Sequence, residues 1–335
     1  MENMNLTFVN VGYGEAILVS CPDASAPDGV FTMLIDGGSG LPEEYQNQPS
    51  GRLPVTEFVR RSGLGHLDAM VSTHIHEDHL CGLAALPDTL MPKVLWQSLP
   101  LDFCRRVMHP LPERGGTVSR DNFLRSLNDA LPLMERVCAA GGSVEDLGAG
   151  MERTLCPGLT LRVLSPAPEA RRELMERMEA LYAPQPEEEF FRKLDALDAR
   201  MNNFSLMLLL DYRGTRVLLP GDTNVAGYGH VDPADLRADI FKVGHHGQKD
   251  GADEALLRAV RPKAVVCCAS SDRRYNSAHP DLMRTIAAGG AALYFSDCPS
   301  LPEEMEPAPP HGALTFTLEP EGAFTACYEP PAMEG

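Results

Sequence analysis

The sequence lacks any apolar run long enough to cross a membrane. A membrane-spanning helix needs about 18 or more consecutive apolar residues, and no such run occurs among the 335 residues. The beginning, Met1 to Asn5, also lacks the basic segment and the apolar stretch of a secretion signal. We therefore expect a cytoplasmic protein with no membrane segment.

Positive charge is scarce as well. Lys and Arg number 29 against 47 Asp and Glu, so the formal net charge is −18, and two divalent ions would only reduce it to −14. Proteins that bind nucleic acid non-specifically need a basic surface, and no cluster of Lys and Arg offsets the acidity here. The composition disfavours a nucleic-acid partner without excluding one.

A disulfide framework is also missing. The nine cysteines are an odd number and show no repeating spacing, as the positions of Cys21, Cys104, Cys156 and Cys327 illustrate. Scattered thiols of this kind are typical of a reduced, cytosolic protein. The hydrophobic content of 44% is ample for a core.

Histidine, in contrast, is concentrated in one stretch. Three of the ten histidines fall between positions 74 and 79, where Thr73 to His79 reads Thr-His-Ile-His-Glu-Asp-His. Imidazole and carboxylate are ligands that zinc, manganese and iron accept in hydrolytic sites. The preceding segment, Leu67 to Ser72, predicts a short buried strand that ends at these ligands.

The spacing within this stretch predicts two ions. Side chains two apart in extended chain point the same way, so His74 and His76 can share one ion. Asp78 and His79 break that alternation and are expected to bind a second ion. Paired ions about 3.5–4 Å apart suit attack on phosphate esters and amides. The alternative is a polar loop whose histidines cap the next helix.

Further motifs follow along the chain. Asn10 to Ala16, Leu34 to Gly38, Pro220 to Thr223 and Lys242 to Gly247 occur in an order and rough spacing that, with the histidine stretch, resembles the metallo-β-lactamase superfamily. The branch that it resembles holds the ComEC-type competence nuclease domains and the phosphorylcholine esterases. The resemblance touches residues 5–82 and 202–295.

The resemblance implies an α/β fold, the αββα four-layer sandwich, as one domain over residues 1–335. Residues at about 101–200 depart from the compact family pattern. Helical spacing in Asp121 to Ala140 and in Pro168 to Arg200 predicts a largely helical insertion there. A lid, a dimer contact and a helical segment with no role beyond packing all remain open, as does the oligomeric state.

The resemblance also implies a ligand set for two divalent ions, zinc or manganese. The carboxylate of Asp222 would bridge the ions, although a Gly-Asp pair is also a common helix cap. We favour His245 over His246 because it leaves its predicted strand first. Where many relatives place one more histidine for the first ion, Asn202 and Asn203 stand here, so Asn203 or a water must fill that place and that ion is expected to bind more weakly. The expected ligands and the groups behind them are His74, His76, Asp78, His79, Asp222, His245 or His246, Asp36 and Asn203.

The segment Arg274 to Pro280 resembles the Tyr-Gly-His-Pro loop of the family, but Ser277 stands at the place of the first histidine. His279 is therefore a candidate for the acid or phosphate-contacting role. The alternative is an ordinary cap of the helix that Pro280 begins.

The resemblance implies a hydrolase in which a hydroxide shared by two ions is the nucleophile. No Gly-x-Ser-x-Gly elbow and no triad setting offers a protein nucleophile instead. A phosphodiester or phosphomonoester is the expected substrate, with a lactam or thioester as the alternative. The other class of function is a non-catalytic metal-binding sensor or scaffold, but a relative freed from catalysis is expected to lose ligands.

Overall fold

The computed structural model describes residues 3–46, 49–272 and 274–331. Met1 and Glu2, which belong to the segment considered above as a secretion signal, lie outside the described residues. The strands, in chain order, are β1 Met4–Val9, β2 Ile17–Pro22, β3 Val30–Ile35, β4 Ala69–Val71, β5 Val94–Gln97, β6 Ser143–Asp146, β7 Glu152–Cys156, β8 Leu159–Ser165, β9 Met207–Tyr212, β10 Thr215–Leu219, β11 Ile240–Lys242, β12 Ala264–Cys267, β13 Ala292–Phe295, β14 Ala313–Leu318 and β15 Phe324–Glu329. The helices are α1 Val55–Arg61, α2 Glu77–Ala84, α3 Leu101–Val107, α4 Val118–Ala139, α5 Pro168–Tyr182, α6 Glu187–Met201, α7 Glu254–Val260 and α8 Pro280–Ala288.

The strands form two sheets. The first has the order β15-β14-β1-β2-β3-β4-β5-β6, and the second has the order β13-β12-β11-β10-β9-β8-β7. In each sheet, antiparallel hairpins such as β1–β2 and β9–β10 adjoin a run of parallel strands. A hairpin near the end of the chain, β14–β15, joins the first sheet through β1.

Three apolar clusters separate four layers. Between the sheets, Leu6 and Ile17 of the first sheet share a core with Leu208 and Val217 of the second. Helices α1 to α6 contribute to a cluster on the outer face of the first sheet, and α7 and α8 pack on the outer face of the second. Because each sheet buries both faces, its inner strands are apolar on both sides. The predicted αββα sandwich is confirmed.

The range 101–200 contributes to the helical layer on the first sheet and also to both sheets. It holds helices α3 to α6, but also β6, which pairs with β5, and β8, which pairs with β9. The predicted turn at 183–186 separates α5 from α6. The helices of this range therefore project from strands that belong to the two sheets.

Helix α2 begins three residues earlier than the apolar pattern predicts. His76 has extended backbone and is the N-cap, so Asp78 and His79 lie in the first helical turn. Acidic residues are favoured there because the helix dipole is positive at its N-terminus. The loop after β3 packs directly on this helix, and a Cβ on Gly82 would lie 1.8 Å from the carbonyl oxygen of Gly37.

Membrane-spanning helices are absent from the described ranges, because no helix there is both long and apolar enough.

Candidate metal centre

The predicted ligands meet where strands of both sheets end. Asp36 follows β3 and the histidine stretch follows β4, its parallel neighbour. Asp222 and His246 follow β10 and β11, which are also parallel neighbours. Since the carboxyl ends of adjacent parallel strands lie at the same edge, the two sheets present these side chains to one place.

The inner part of the site is a group of two histidines and two acids, of which three are buried and Asp78 is 18% exposed. His246 Nε2 lies 2.9 Å from Asp222 Oδ2 and 3.1 Å from Asp78 Oδ2. His79 Nε2 lies 3.4 Å from both Asp222 Oδ2 and His246 Nε2. We call Asp78, His79, Asp222 and His246 the inner group.

His74 and His76 form an outer pair beside this group. His74 Nε2 lies 3.0 Å from His76 Nδ1. The His74 side chain is buried, but that of His76 is 18% exposed. Ligand atoms of His74, His79 and Asp222 lie within 4.8 Å of one another, which links the outer pair to the inner group.

The four histidines of the site are His74, His76, His79 and His246. In each ring, one nitrogen donates its proton to an acceptor outside the cluster. Carboxylate and carbonyl oxygens only accept hydrogen bonds, so the ring nitrogen that faces one carries the proton. Thr73 Oγ1 donates its own proton to Asp36 Oδ2 at 2.6 Å. Toward the His74 ring this oxygen can therefore only accept a hydrogen bond. The outer contacts are His74 Nδ1 to Thr73 Oγ1 at 3.0 Å, His76 Nε2 to Asp198 Oδ1 at 3.0 Å, His79 Nδ1 to Asp36 Oδ2 at 2.8 Å and His246 Nδ1 to the Cys268 carbonyl at 2.9 Å.

A neutral imidazole has one proton, so the four inward nitrogens present lone pairs to one another. Lone pairs at 3.0–3.4 Å repel unless a cation or a proton lies between them. Four imidazole nitrogens with two carboxylates are also a donor set that zinc and manganese accept. The residues present therefore fit divalent ions.

Asp36 holds two parts of the site at once. Besides receiving the His79 proton, its Oδ1 accepts from the Thr73 backbone N–H at 2.8 Å. It is fully buried, with a left-handed φ of 55°. Such a conformation is uncommon for a residue other than glycine and occurs often at functional sites. This carboxylate orients His79 from behind, the role that the resemblance implies.

Lys242 holds the carboxylate of Asp222 from the second sheet. Its Nζ donates to Asp222 Oδ1 at 3.1 Å and to the Gly221 carbonyl at 2.8 Å, and it forms an ion pair with Glu15. Sequence reasoning gave Lys242 no role, although a lone lysine between apolar residues of a buried strand indicates a buried charge partner.

The carboxylates and the histidines shift one another's pKa. Burial alone would raise the pKa of Asp222, but His246 and Lys242 outweigh it and hold the pKa well below the usual range. Burial alone would lower the pKa of His246, but Asp222 and Asp78 raise it to about 9. Burial holds the pKa of His74 well below the usual range. The acids that favour a proton on the inner rings also favour a metal cation there.

His245 takes a different direction from its neighbour. Its Nδ1 pairs with Asp250 Oδ1 at 2.8 Å, and Gln248 donates to its Nε2 at 3.0 Å. Both His245 and His246 have positive φ, and their rings have different partners, since His246 Nδ1 faces the Cys268 carbonyl. The structure therefore brings His246, rather than the preferred His245, into the group of candidate ligands.

Two other sequence candidates lie outside the cluster. His279 is the N-cap of α8, where its Nδ1 accepts from the Asp281 backbone N–H at 3.3 Å. Asn203 accepts from the Asn224 backbone N–H at 3.2 Å and holds the loop after Asp222. Its neighbour Asn202 lines the cleft instead, with a buried Oδ1 that has no hydrogen-bond partner.

The cluster opens into a cleft of about 520 Å³. The first turns of α4 and the last turn of α6 form one side of it, so helices of the 101–200 range border the site. Asp198, the acceptor for His76, comes from α6. Sequence reasoning missed it because an acid on a half-exposed helix face has no local signal of such a contact.

Comparison with known proteins supports the family that the motifs suggested. The model of the metallo-β-lactamase superfamily matches residues 28–117, a range that contains Asp36 and the whole histidine stretch. The chain carries a metallo-β-lactamase superfamily domain. The predicted superfamily is thus confirmed, and with it a fold known for metal-dependent hydrolases.

One curated protein is similar to most of the chain. ComE operon protein 3 of Bacillus subtilis (strain 168) is 24% identical over 289 residues, which cover 83% of this chain and 30% of that protein. This match agrees with the predicted ComEC-type branch. The chain spans less than a third of the length of that relative.

Two solved structures are also similar to this chain at low sequence identity. Zn(2+)-bound PqqB from Methylobacterium extorquens is 12% identical, with a TM-score of 0.42 and coverage of 86% of this chain and 97% of that one. A diphosphatase from the PhnP family is 13% identical, with a TM-score of 0.40 and coverage of 94% and 99%.

Proposed function

We propose that the chain is a binuclear metal-dependent hydrolase that acts on phosphodiesters or phosphomonoesters. The observation that carries the proposal is the set of four inward imidazole nitrogens, each with its other nitrogen committed to an outside acceptor. Such outside partners keep metal-binding histidines in one tautomer and orientation.

The residues divide into two ligand sets. His74 Nε2 and His76 Nδ1 would hold one ion, and Asp78, His79 and His246 would hold the other. Asp222 Oδ2, 2.9 Å from His246 Nε2, would serve both. Asn202, with its unpartnered Oδ1 at the cleft, is available where relatives have a further histidine.

The chain's own groups prepare the site for hydrolysis. Divalent ions bound here would lower the pKa of a water ligand to about 7 and stabilise negative charge on the substrate. Asp36 and the Cys268 carbonyl keep the Nδ1 protons of His79 and His246 directed outward. Lys242 balances part of the charge of Asp222 and restricts its rotation. Burial of His79, His246 and Asp222 keeps bulk water away from these contacts.

The phosphoester class comes from the family resemblance and is tested by turnover. We expect two equivalents of zinc or manganese per chain and hydrolysis of bis-(p-nitrophenyl) phosphate by the metal-loaded protein. His76→Ala and Asp222→Ala are expected to abolish hydrolysis, and His109→Ala, which removes an exposed histidine outside the cluster, is the matched control.

The contrary outcomes point to different readings. Full turnover in both His76→Ala and Asp222→Ala would reject the ligand assignment. Hydrolysis of a lactam or thioester in place of the phosphoesters would change the substrate class. Two bound ions without turnover of any of these compounds would favour a sensor or scaffold.

A further inference from the structure

Two exposed hydrophobic side chains border the metal cleft. Among the described residues, the large hydrophobic side chains that stay mostly exposed are Val118, at 75%, and Tyr275, at 64%. Both line the cleft that contains His76, Asp78 and Asp222. Single exposed apolar residues are common on surfaces, but here they coincide with the opening of one polar site. Exposed apolar surface concentrated at such an opening marks a place where a ligand group packs.

On one side, aromatic rings run outward from the inner group. The Tyr13 ring lies 4.4 Å from the His246 ring, and the Tyr275 ring lies 5.4 Å from that of Tyr13. Tyr275 has a left-handed φ of 51°. A bulky residue is strained in that conformation, and the ring that it positions is left largely uncovered. Tyr275 thus extends an aromatic wall from a metal ligand to the cleft opening.

On the other side, the wall begins at the outer pair. The Phe123 ring lies 5.4 Å from the His76 ring. Phe123 and Val118 both belong to the beginning of α4 and both line the cleft. Each of the two proposed metal-binding histidines, His246 and His76, therefore has an aromatic ring beside it, and each of these rings lines the same cleft as an exposed apolar side chain.

The charges of the cleft oppose a highly anionic substrate. Among the described residues that line the cleft, Arg274 is the only lysine or arginine. Its guanidinium is already paired with Glu44 and Asp272. The carboxylates that line the cleft are Glu77, Asp78, Asp198 and Asp222. Beyond the metal ligands, no unpaired cation among these lining residues is available for a second phosphate.

We propose that the cleft selects phosphoesters that carry one uncharged aromatic or apolar group, which packs on Tyr275 and Val118 while the phosphate reaches the ligand cluster. Esters with additional phosphates are disfavoured. This inference rests on the proposed phosphoester hydrolysis. In that reaction the bond from phosphorus to the leaving oxygen breaks, a bond from phosphorus to the oxygen of water forms, and the leaving group and the phosphate product share the two protons of water.

The test varies the retained group and keeps the p-nitrophenolate leaving group. We expect phenyl p-nitrophenyl phosphate to exceed methyl p-nitrophenyl phosphate in kcat/KM by about fivefold, the size of an aromatic contact. Thymidine 3′-phosphate 5′-(p-nitrophenyl phosphate) should react more slowly than the same compound without the 3′-phosphate. In Tyr275→Ala and Val118→Ala the ratio of phenyl to methyl ester should fall toward one, and Tyr275→Phe should retain it.

The outcomes separate this inference from the proposed function. Turnover of all esters with no phenyl preference, or equal losses on phenyl and methyl esters in Tyr275→Ala, would overturn the inference and leave the hydrolase intact. If no ester is hydrolysed, the proposed function fails, and calorimetry with phenylphosphonate and methylphosphonate still decides. Tighter phenylphosphonate binding that Tyr275→Ala removes would support the apolar walls. Equal or absent binding of the two would overturn them.

Discussion

The inner group and the outer pair of the metal centre are supported very differently. In the inner group, His79, His246 and Asp222 are at most 3% exposed and Asp78 is 18% exposed. The partners of the three buried side chains are a buried aspartate, a backbone carbonyl and a buried lysine. His76 in the outer pair is 18% exposed, and its partner Asp198 is 32% exposed and lies on α6. The partners that hold the buried part of the inner group therefore belong to strands or strand ends of the two sheets, whereas the partner of His76 in the outer pair lies on a helix at the surface.

The difference implies that the two proposed ion positions would not be equivalent. A site whose ligands are held by buried groups loses little entropy on binding, because its geometry exists beforehand. The proposed outer position has two histidines and a surface acid, and Asn202, which lines the cleft, is the proposed substitute for a further histidine. We expect the outer ion to bind more weakly and to respond to changes in α6.

The largest loss of activity is expected at Asp222, which would be shared by the two proposed ions. Asp222→Asn keeps the shape of the side chain but removes the charge that both ions would share. We expect kcat/KM for a phosphodiester to fall by roughly a thousandfold or more, since a bound ion contributes several kcal/mol to transition-state stabilisation. Steady-state kinetics together with metal analysis of the dialysed protein would measure this. A variant that retained both ions and most of its activity would show that Asp222 is not shared.

A change of neighbouring histidines tests the inner group alone. His246→Ala removes a ligand within 2.9 Å of Asp222, and we expect loss of the inner ion and of activity by about a hundredfold or more. His245→Ala is the matched control, because that ring contacts Asp250 and Gln248 instead, and it should retain two ions per chain. Loss of an ion in His245→Ala with retention in His246→Ala would reverse the assignment.

The outer pair is tested through the helix that supports it. Asp198→Ala removes the acceptor for His76 Nε2, so the ring can rotate or change tautomer. We expect the affinity of the weaker ion to fall by about 10- to 100-fold, the usual effect of losing such a partner, with the tighter ion unchanged. Competition with a chromophoric chelator measures both affinities. Asp195→Ala, on the same helix but paired with Arg120, is the control and should leave both affinities unchanged.

The smallest effect needs no substitution. Titration of the two-ion protein with a chelator should remove the ions in two stages whose affinities differ by about tenfold or more, as expected when one site has fewer fixed ligands. The removed ions are counted by a metal indicator, and the secondary structure is followed by circular dichroism. Removal of both ions in a single stage would show that the inner group and the outer pair release their ions together.

Local patterns predicted most of the elements around the site. The hairpin of β14 and β15, the long helix α4 and the pair α5 and α6 follow from alternation, helical spacing and proline-containing turns. The start of α2 is not marked by the apolar pattern, because the first turn carries polar candidate ligands and the pattern begins only at Leu80. Strand β7 has mostly exposed side chains and was missed for the same reason.

The contacts that distinguish the two ion positions could not be predicted in this way. Asp198 is 122 residues from His76 along the chain, and nothing in its own surroundings marks it. The choice between His245 and His246 depends on two consecutive positive φ angles, which neither residue type signals.

The sequence by itself determined the kinds of ligand, their order and the strands that deliver them, because period and short spacing act over a few residues. Only the fold establishes which nitrogen of His76, His79 and His246 faces inward and how firmly each ring is held. Those features depend on protons accepted by Asp36, Cys268 and Asp198, and folding brings these groups to the site from three separate segments.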